Sequence, residues 1–244
     1  MMLRTGYANM PHPEKAQTGG EDSWFITEGL IGVADGVGGM TKLGIDSKMF
    51  SHNLCEFAEL GIQSRLMTNP ERIARYAFSK VSVNGASTLL IVNGEDSSKI
   101  EYYNIGDSQL GIYRDRKGWI HVSKEQEHDF NQPYQLGRMD KFTADRPEVG
   151  IAETIDTNIG DVLILASDGL WDNVYKNHIQ NIVAQEIRGG TYDEGDLALK
   201  LANNAWYNAS RNDDTPFSDR ATVHGYSLPG GKPDDITVLV ATII

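Results

Sequence analysis

Residues 162–172 read VLILASDGLWD: five apolar residues, a serine, then Asp168-Gly169, with a second carboxylate at Asp172. Five aliphatic side chains without polar alternation read as a strand covered on both faces. Asp-Gly ends it, because Asp caps the chain locally and Gly supplies positive φ. The same arrangement recurs along the chain. Glu21-Asp22 precedes the run 24–27, Asp35-Gly36 closes 30–34, Asp107 follows Asn104-Ile105-Gly106, and Asp234-Asp235 opens 236–243. An Asp at the end of a buried strand is costly unless it is paired or bound to a cation. No Lys or Arg adjoins these residues in the sequence, so a bound cation is the expected partner. Hard carboxylate oxygens suit Mg2+ or Mn2+, and no His or Cys cluster is present that would suit Zn2+. Taken singly, each Asp-Gly reads as well as a turn. The recurrence at strand edges, with the glycine-rich ADGVGG at 34–39, is what points to a divalent-metal site.

Further short apolar or alternating runs at 87–92, 100–104, 110–113 and 119–122 also predict strands. Helical spacing of apolar residues predicts helices over 48–60, 71–80, 177–187 and 194–208, with start signals at Asn69-Pro70 and at Asp193 before Glu194. Helices thus fall between blocks of strands, which predicts an α+β domain with helices layered over mostly antiparallel sheets. No repeat, Pro-rich linker or low-complexity tract divides the chain, so residues 1–244 are read as a single domain.

With 40% apolar and 23% charged residues, the 244-residue chain has the composition of a globular protein large enough to hold a core without disulfides. The single cysteine, Cys55, agrees with an intracellular protein. The longest apolar runs fall far short of the roughly 20 residues of a membrane helix, so no membrane span is expected. A net charge of −12 without a Lys/Arg cluster argues against nucleic acid as a partner.

The segments GGEDSW, GVADGVGG, GAST, NIGDS, ASDGLWDN and PDDITV occur in the order in which the metal-dependent protein phosphatase family (protein phosphatase 2C, Ser/Thr type) presents its motifs. The chain resembles that family from about residue 21 to residue 240. HPEK at 12–15, EQEHDFNQPYQL at 125–136, TPFS at 215–218 and GGKPDDIT at 230–237 resemble the branch with mitochondrial and chloroplast members. The resemblance implies an αββα sandwich of two antiparallel sheets flanked by helices, with a binuclear metal site at one end. It also implies two Mg2+ or Mn2+ ions, with positions for a weaker third. By motif, Asp35 would bridge the metals, the Gly36 carbonyl would bind one, and Asp168 and Asp234 the other. Glu21 and Asp22 would act through metal-bound water, and Asp107 and Asp172 match the third-metal positions. Asp235 stands where many members have Asn and is read as supporting the ligands. The implied activity is hydrolysis of phosphoserine or phosphothreonine by a metal-bound water or hydroxide, without a phosphoenzyme. The implied partner is a phosphoprotein, met by a monomer in a mitochondrion, a chloroplast or the cytosol.

Two positions depart from the pattern. The phosphate-holding Arg of many members is Gln17 here, which leaves Lys15 as the nearest cation, either a phosphate ligand or a plain loop lysine. The His that follows Asp-Gly in many members is Val37, so the leaving oxygen is expected to take its proton from a metal-bound water near Asp107. His12 and His128 read as hydrogen-bonding residues and Trp171 as core. Gln126, Phe130, Asn131 and Tyr134 read either as a substrate rim or as a packed loop. A catalytically impaired relative that binds phosphoproteins or regulates another enzyme is the alternative to an active enzyme. Gly36 to Lys42 lacks the GK[ST] ending of a nucleotide phosphate loop, and Val37 stands where an aspartyl-phosphate enzyme of the Asp-x-Asp type needs its second Asp.

Overall fold

The computed structural model describes residues 3–38, 44–138 and 144–244. Gly39 of the ADGVGG segment and Met40 to Lys42, which follow it in the sequence, lie outside the described residues. One five-stranded antiparallel sheet runs in the order β1 (Leu3–Met10), β14 (Ile236–Ile243), β13 (Val162–Ala166), β7 (Gln109–Arg114), β8 (Gly118–Val122). The other runs β12 (Ile151–Asp156), β6 (Lys99–Ile105), β5 (Leu89–Asn93), β3 (Leu30–Ala34), β2 (Ser23–Ile26), also antiparallel. Helices α1 (Ser47–Arg65) and α2 (Pro70–Lys80) pack on the second sheet. Helices α4 (Lys176–Arg188) and α5 (Glu194–Ala209) pack on the first. This is the expected αββα sandwich.

The period of the strand explains the continuous apolar run in β13. Leu163 and Leu165 enter the layer between the sheets with Ile31, Val33, Leu90 and Leu239. Val162, Ile164 and Ala166 point the other way, under Ile179, Val183, Leu197 and Leu201 of α4 and α5. Each fully buried Val, Leu or Ile contributes roughly 1.5–3 kcal/mol. The Asn69 and Asp193 helix caps, both present as read from the sequence, are worth about 1 kcal/mol each. Packing of faces therefore sets the layers, and capping only trims the helix ends.

Several elements escape the sequence reading, three of them large enough to shape the layers. β1 pairs with β14 along its whole length, from Leu3 opposite Ile243 to Met10 opposite Ile236, although LRTGYANM has little strand character. Gly6 within it is required, because a Cβ there would lie 2.1 Å from the Gly195 amide nitrogen where α5 crosses. β12 is a largely exposed edge strand. α6 (Pro216–Val223) is a two-turn helix started by a capping box between Thr215 and Ser218.

The strand expected over 87–92 is instead two strands broken at Thr88, β4 (Gly85–Ser87) and β5. β4 leaves the sheet to pair with β11 (Leu136–Arg138). The break has a physical cause: the Thr88 N–H donates to the Asp35 carbonyl (2.9 Å), and the Thr88 hydroxyl accepts from the Asp35 N–H (3.1 Å). The backbone leaves the ladder to hold Asp35. On the other sheet, Asp168 begins a single helical turn, α3 (Asp168–Trp171). A Cβ on Gly169 would sit 2.0 Å from the Asp235 carbonyl, so the two acidic segments touch only because residue 169 is glycine. Gly169→Ala is expected to push them apart and to cost about 1–3 kcal/mol of stability, read as a lower urea midpoint with an unchanged m-value.

Candidate metal centre

Asp35, Asp107, Asp168 and Asp234 come from four separate segments: the end of β3, the β6–β7 turn, the end of β13 and the residue pair before β14. Both sheets deliver these carboxylates to one cleft of about 350 Å3, whose walls also include Lys15, Gly36, Val37, Thr88, Asn131, Pro133 and Lys232. One oxygen from each of Asp35, Asp107 and Asp168 lies within 4.8 Å of the other two. The supports are local and specific. Gly36 donates its N–H to the Glu21 carbonyl (3.2 Å), and a Cβ there would meet that oxygen at 2.6 Å and the Ser47 carbonyl at 2.9 Å. Gly106 turns the chain into Asp107 at φ +108°, where a Cβ would strike the Thr88 methyl at 2.5 Å.

The donor set fits divalent cations. Asp22 Oδ1, Asp107 Oδ1 and Asp168 Oδ1 are buried without a hydrogen-bond partner among the described residues. Such atoms are costly unless something charged meets them. Burial, with the neighbouring carboxylates, drives the Asp35 and Asp107 pKa values well above the usual range. Burial and Asp235 push Asp22 up to about 8, and burial and Asp168 push Asp234 up to about 7. Hard oxygen ligands concentrated in this way are what Mg2+ and Mn2+ require.

The other candidates from the sequence take distinct places. Glu21 accepts from Lys15 Nζ through its side chain. Asp22 accepts from the Ser167 hydroxyl (2.8 Å) and is nearly fully buried. Asp235 turns away from the cleft: its carboxylate accepts from the backbone N–H groups of His12 (2.6 Å) and Glu21 (2.7 Å), so it positions the segment that carries Lys15, Glu21 and Asp22. Lys15 borders the cleft and also faces Asp235 at 3.5 Å. Asp172 is ion-paired to Arg220 of α6 and lies 3.1 Å from Lys232 Nζ. Burial raises its pKa to about 6 against the pull of these two cations. Gln17 is exposed, and Val37 presents an apolar side chain to the cleft.

The expectation that no Lys or Arg stands beside the acidic residues fails in three dimensions. Lys232 Nζ ion-pairs with Asp168 and lies 3.1 Å from Asp172 and 3.3 Å from Asp234, while Arg220 holds Asp172, Glu125 and Glu127. Burial works to lower the Lys232 pKa, but Asp168, Asp172 and Asp234 outweigh it and hold the ammonium well above its ordinary value. Adjacency in sequence could not show this, because Arg220 reaches Asp172 from 48 residues away. GGKPDDIT already contained Lys232, and its spacing of two residues from Asp234 was the available signal.

The ambiguous loop divides. Asn131, at φ +56°, and Pro133 border the cleft. Phe130 packs against Phe217 and Tyr226, while Gln126 bonds the Gly106 and Val149 backbone. Tyr134 stacks on His128, which meets Asp145 at 3.0 Å. His12 caps the turn Pro13–Lys15, and Trp171 is core.

Comparison with known proteins agrees with this fold. The family profile for protein phosphatase 2C matches residues 129–214. Protein phosphatase PTC7 homolog fig from Drosophila willistoni is 36% identical over 249 residues, covering 92% of this chain and 77% of that protein. The chain belongs to the protein phosphatase 2C family. Probable protein phosphatase 2C 80 from Arabidopsis thaliana is also 36% identical along the whole chain, which spans 59% of that relative's length. It spans 52% of the length of probable protein phosphatase 2C 55 from the same plant. Among solved structures, the photosystem II phosphatase PBCP superposes with a TM-score of 0.91 at 27% identity, covering 99% of both chains. The catalytic domain of PstP, solved with two manganese ions, shares the fold with a TM-score of 0.67 at 17% identity.

The raised carboxylate pKa values carry a sign. An unfolded Asp titrates near pH 4, so between about pH 4 and 8 the folded, metal-free form binds more protons than the unfolded form. Its stability therefore falls as pH rises through that window. A divalent ion binds the deprotonated set, so its stabilisation of this protein phosphatase 2C family member should grow with pH. Melting temperatures in EDTA and in excess Mg2+ or Mn2+ between pH 5.5 and 8 are expected to diverge as pH rises. A constant gap would mean that other groups titrate.

Proposed function

We propose that this chain is a divalent-metal-dependent protein serine/threonine phosphatase with phosphoserine or phosphothreonine proteins as substrates. The observation that carries the reading is the convergence of Asp35, Asp107 and Asp168, two of them with orphaned buried oxygens, on a cleft wide enough for a phosphorylated side chain. Asp35, Asp168 and Asp234, with the Gly36 carbonyl, would hold two Mg2+ or Mn2+ ions, and Asp107 offers a further carboxylate toward a weaker third. When bound, such ions neutralise phosphoryl charge and acidify water near neutral pH. Family membership and the likeness to a structure holding two manganese ions support this assignment.

The chain's own residues do the rest. Thr88 holds both the N–H and the carbonyl of Asp35, and its hydroxyl is engaged with the Asp35 N–H and with Ser108 (3.0 Å), so it is not free to attack phosphorus. Among the described residues of the cleft wall there is no Cys, His or Ser, which favours water as the nucleophile over a covalent intermediate. Lys15 supplies a positive point charge at the wall for the phosphoryl oxygens, in place of the bidentate Arg absent at Gln17. Water held at Asp107 protonates the departing seryl or threonyl oxygen, since Val37 cannot. Asn131 and Pro133 present the rim to the substrate chain.

Among the described residues no helix is long and apolar enough to cross a membrane. A location in an organelle is part of the proposal and draws on the likeness to the photosystem II phosphatase. The second reading, an impaired phosphoprotein-binding module, draws on Gln17, Val37 and the lysine among the carboxylates.

Phosphate release from a phosphothreonine peptide in Mn2+, Mg2+ or EDTA separates the two. Metal-dependent turnover is expected, with Asp168→Asn reducing it by more than the ~10–100-fold typical of residues that merely orient ligands. Binding of phosphopeptides without turnover by folded, metal-loaded protein would favour the module. Lys15→Ala is expected to raise KM about tenfold or more, the loss of one charge-assisted contact, with a smaller change in kcat.

A further inference from the structure

Lys232 is not a loose surface lysine that has wandered into an acidic cleft. Its backbone is clamped on both sides by Asn173, a fully buried residue. The Lys232 N–H donates to Asn173 Oδ1 (2.9 Å), and Asn173 Nδ2 donates to the Lys232 carbonyl (2.8 Å) and to that of Gly169 (2.9 Å). Asn208 of α5 in turn donates to the Asn173 carbonyl (2.8 Å). The ammonium lies 5.8 Å from the centre of the Phe217 ring, and its side chain is only 17% exposed. The core thus delivers this cation to Asp168, Asp172 and Asp234.

The result is an asymmetric centre. Lys232 neutralises the Asp168–Asp234 side, with Arg220 behind Asp172. On the other side, Asp107 Oδ1 and Asp168 Oδ1 have no hydrogen-bond partner among the described residues, and one oxygen of each of these carboxylates lies within 4.8 Å of one from Asp35. We propose that Lys232 is a resident counter-ion of the metal centre: it holds the Asp168–Asp234 carboxylates together in the metal-free protein, and a divalent ion gains those oxygens only by displacing it. The affinity for the second ion is then set by competition with a tethered ammonium. The first ion, on the Asp35–Asp107–Asp168 side, meets the lysine only through Asp168, whose Oδ1 has no hydrogen-bond partner among the described residues.

This inference rests on the metal-centre reading above, and its test keeps the two apart. Mn2+ titration calorimetry at pH 7.5, with melting curves in EDTA and in Mn2+, would be run on the wild type, Lys232→Met, Lys232→Gln and Asp168→Asn. Removing a unit positive charge from beside the ligands should tighten the weaker Mn2+ event by roughly tenfold or more. It should also lower the melting temperature in EDTA, with recovery in Mn2+. Lys232→Met keeps an apolar stem against Phe217, and Lys232→Gln keeps a hydrogen-bond donor, so agreement between them assigns the effect to charge. A variant that folds only with Mn2+ also supports the proposal, because the metal then replaces the lysine. Unchanged or weaker Mn2+ binding in both variants overturns it, as does failure to fold even in Mn2+. Loss of wild-type Mn2+ binding in Asp168→Asn upholds the centre whatever Lys232 does. Absence of phosphopeptide turnover, with the Lys232 effect intact, would remove the phosphatase reading and leave the counter-ion standing.

Discussion

Repulsion among buried and half-buried carboxylates is the constraint around which this molecule is built. Asp22, Asp35, Asp107, Asp168, Asp172 and Asp234 crowd one end of the sandwich, and burial together with their mutual field raises the pKa of five of them. A fold does not assemble such a set for stability, since each unneutralised charge in a poorly solvated place works against folding. The arrangement becomes favourable when cations enter it, and the chain supplies some of its own: Lys15 at Glu21, Lys232 at Asp168, and Arg220 at Asp172. Among the described residues those three leave the Oδ1 atoms of Asp22, Asp107 and Asp168 unmet, and the divalent ions of the proposed function would answer that demand.

The scaffold tolerates this because the strain is confined to segment ends. Between the sheets and under both helical layers the packing is apolar and closed. The carboxylates sit where the strands stop, in contact with backbone that has left its ladder. Thr88 shows the trade most clearly. Its break from β4 into β5 forfeits strand continuity and gains two hydrogen bonds that fix Asp35. Glycine does the complementary work: residues 36, 106 and 169 permit contacts that any Cβ would block.

Much of this was legible beforehand for identifiable reasons. β3, β13 and β14 are buried on both faces, so they appear as largely apolar runs with an acidic residue at one end. The long helices carry their own caps at Asn69 and Asp193. β1 and β12 were missed because pairing and edge position, not composition, make them strands. The break at Thr88 was missed because its cause, Asp35, lies 53 residues away. Arg220 was missed for the same reason, since an ion pair leaves no local trace when its partners come from different elements, whereas Lys232 stood within two residues of Asp234.

The sequence by itself determined the chemistry: the identity of the carboxylates, their places at the ends of apolar strands, and the absence of an Arg at position 17 and of a His at position 37. These are properties of single positions and their immediate neighbours, and local pattern reports them. Only the tertiary structure decided which carboxylates share a cleft, that Asp235 serves the backbone of His12 and Glu21, and that Lys232 and Arg220 stand among the acids. Charge interactions depend on distance in space and on the surrounding solvent, and both are set by how the two sheets meet.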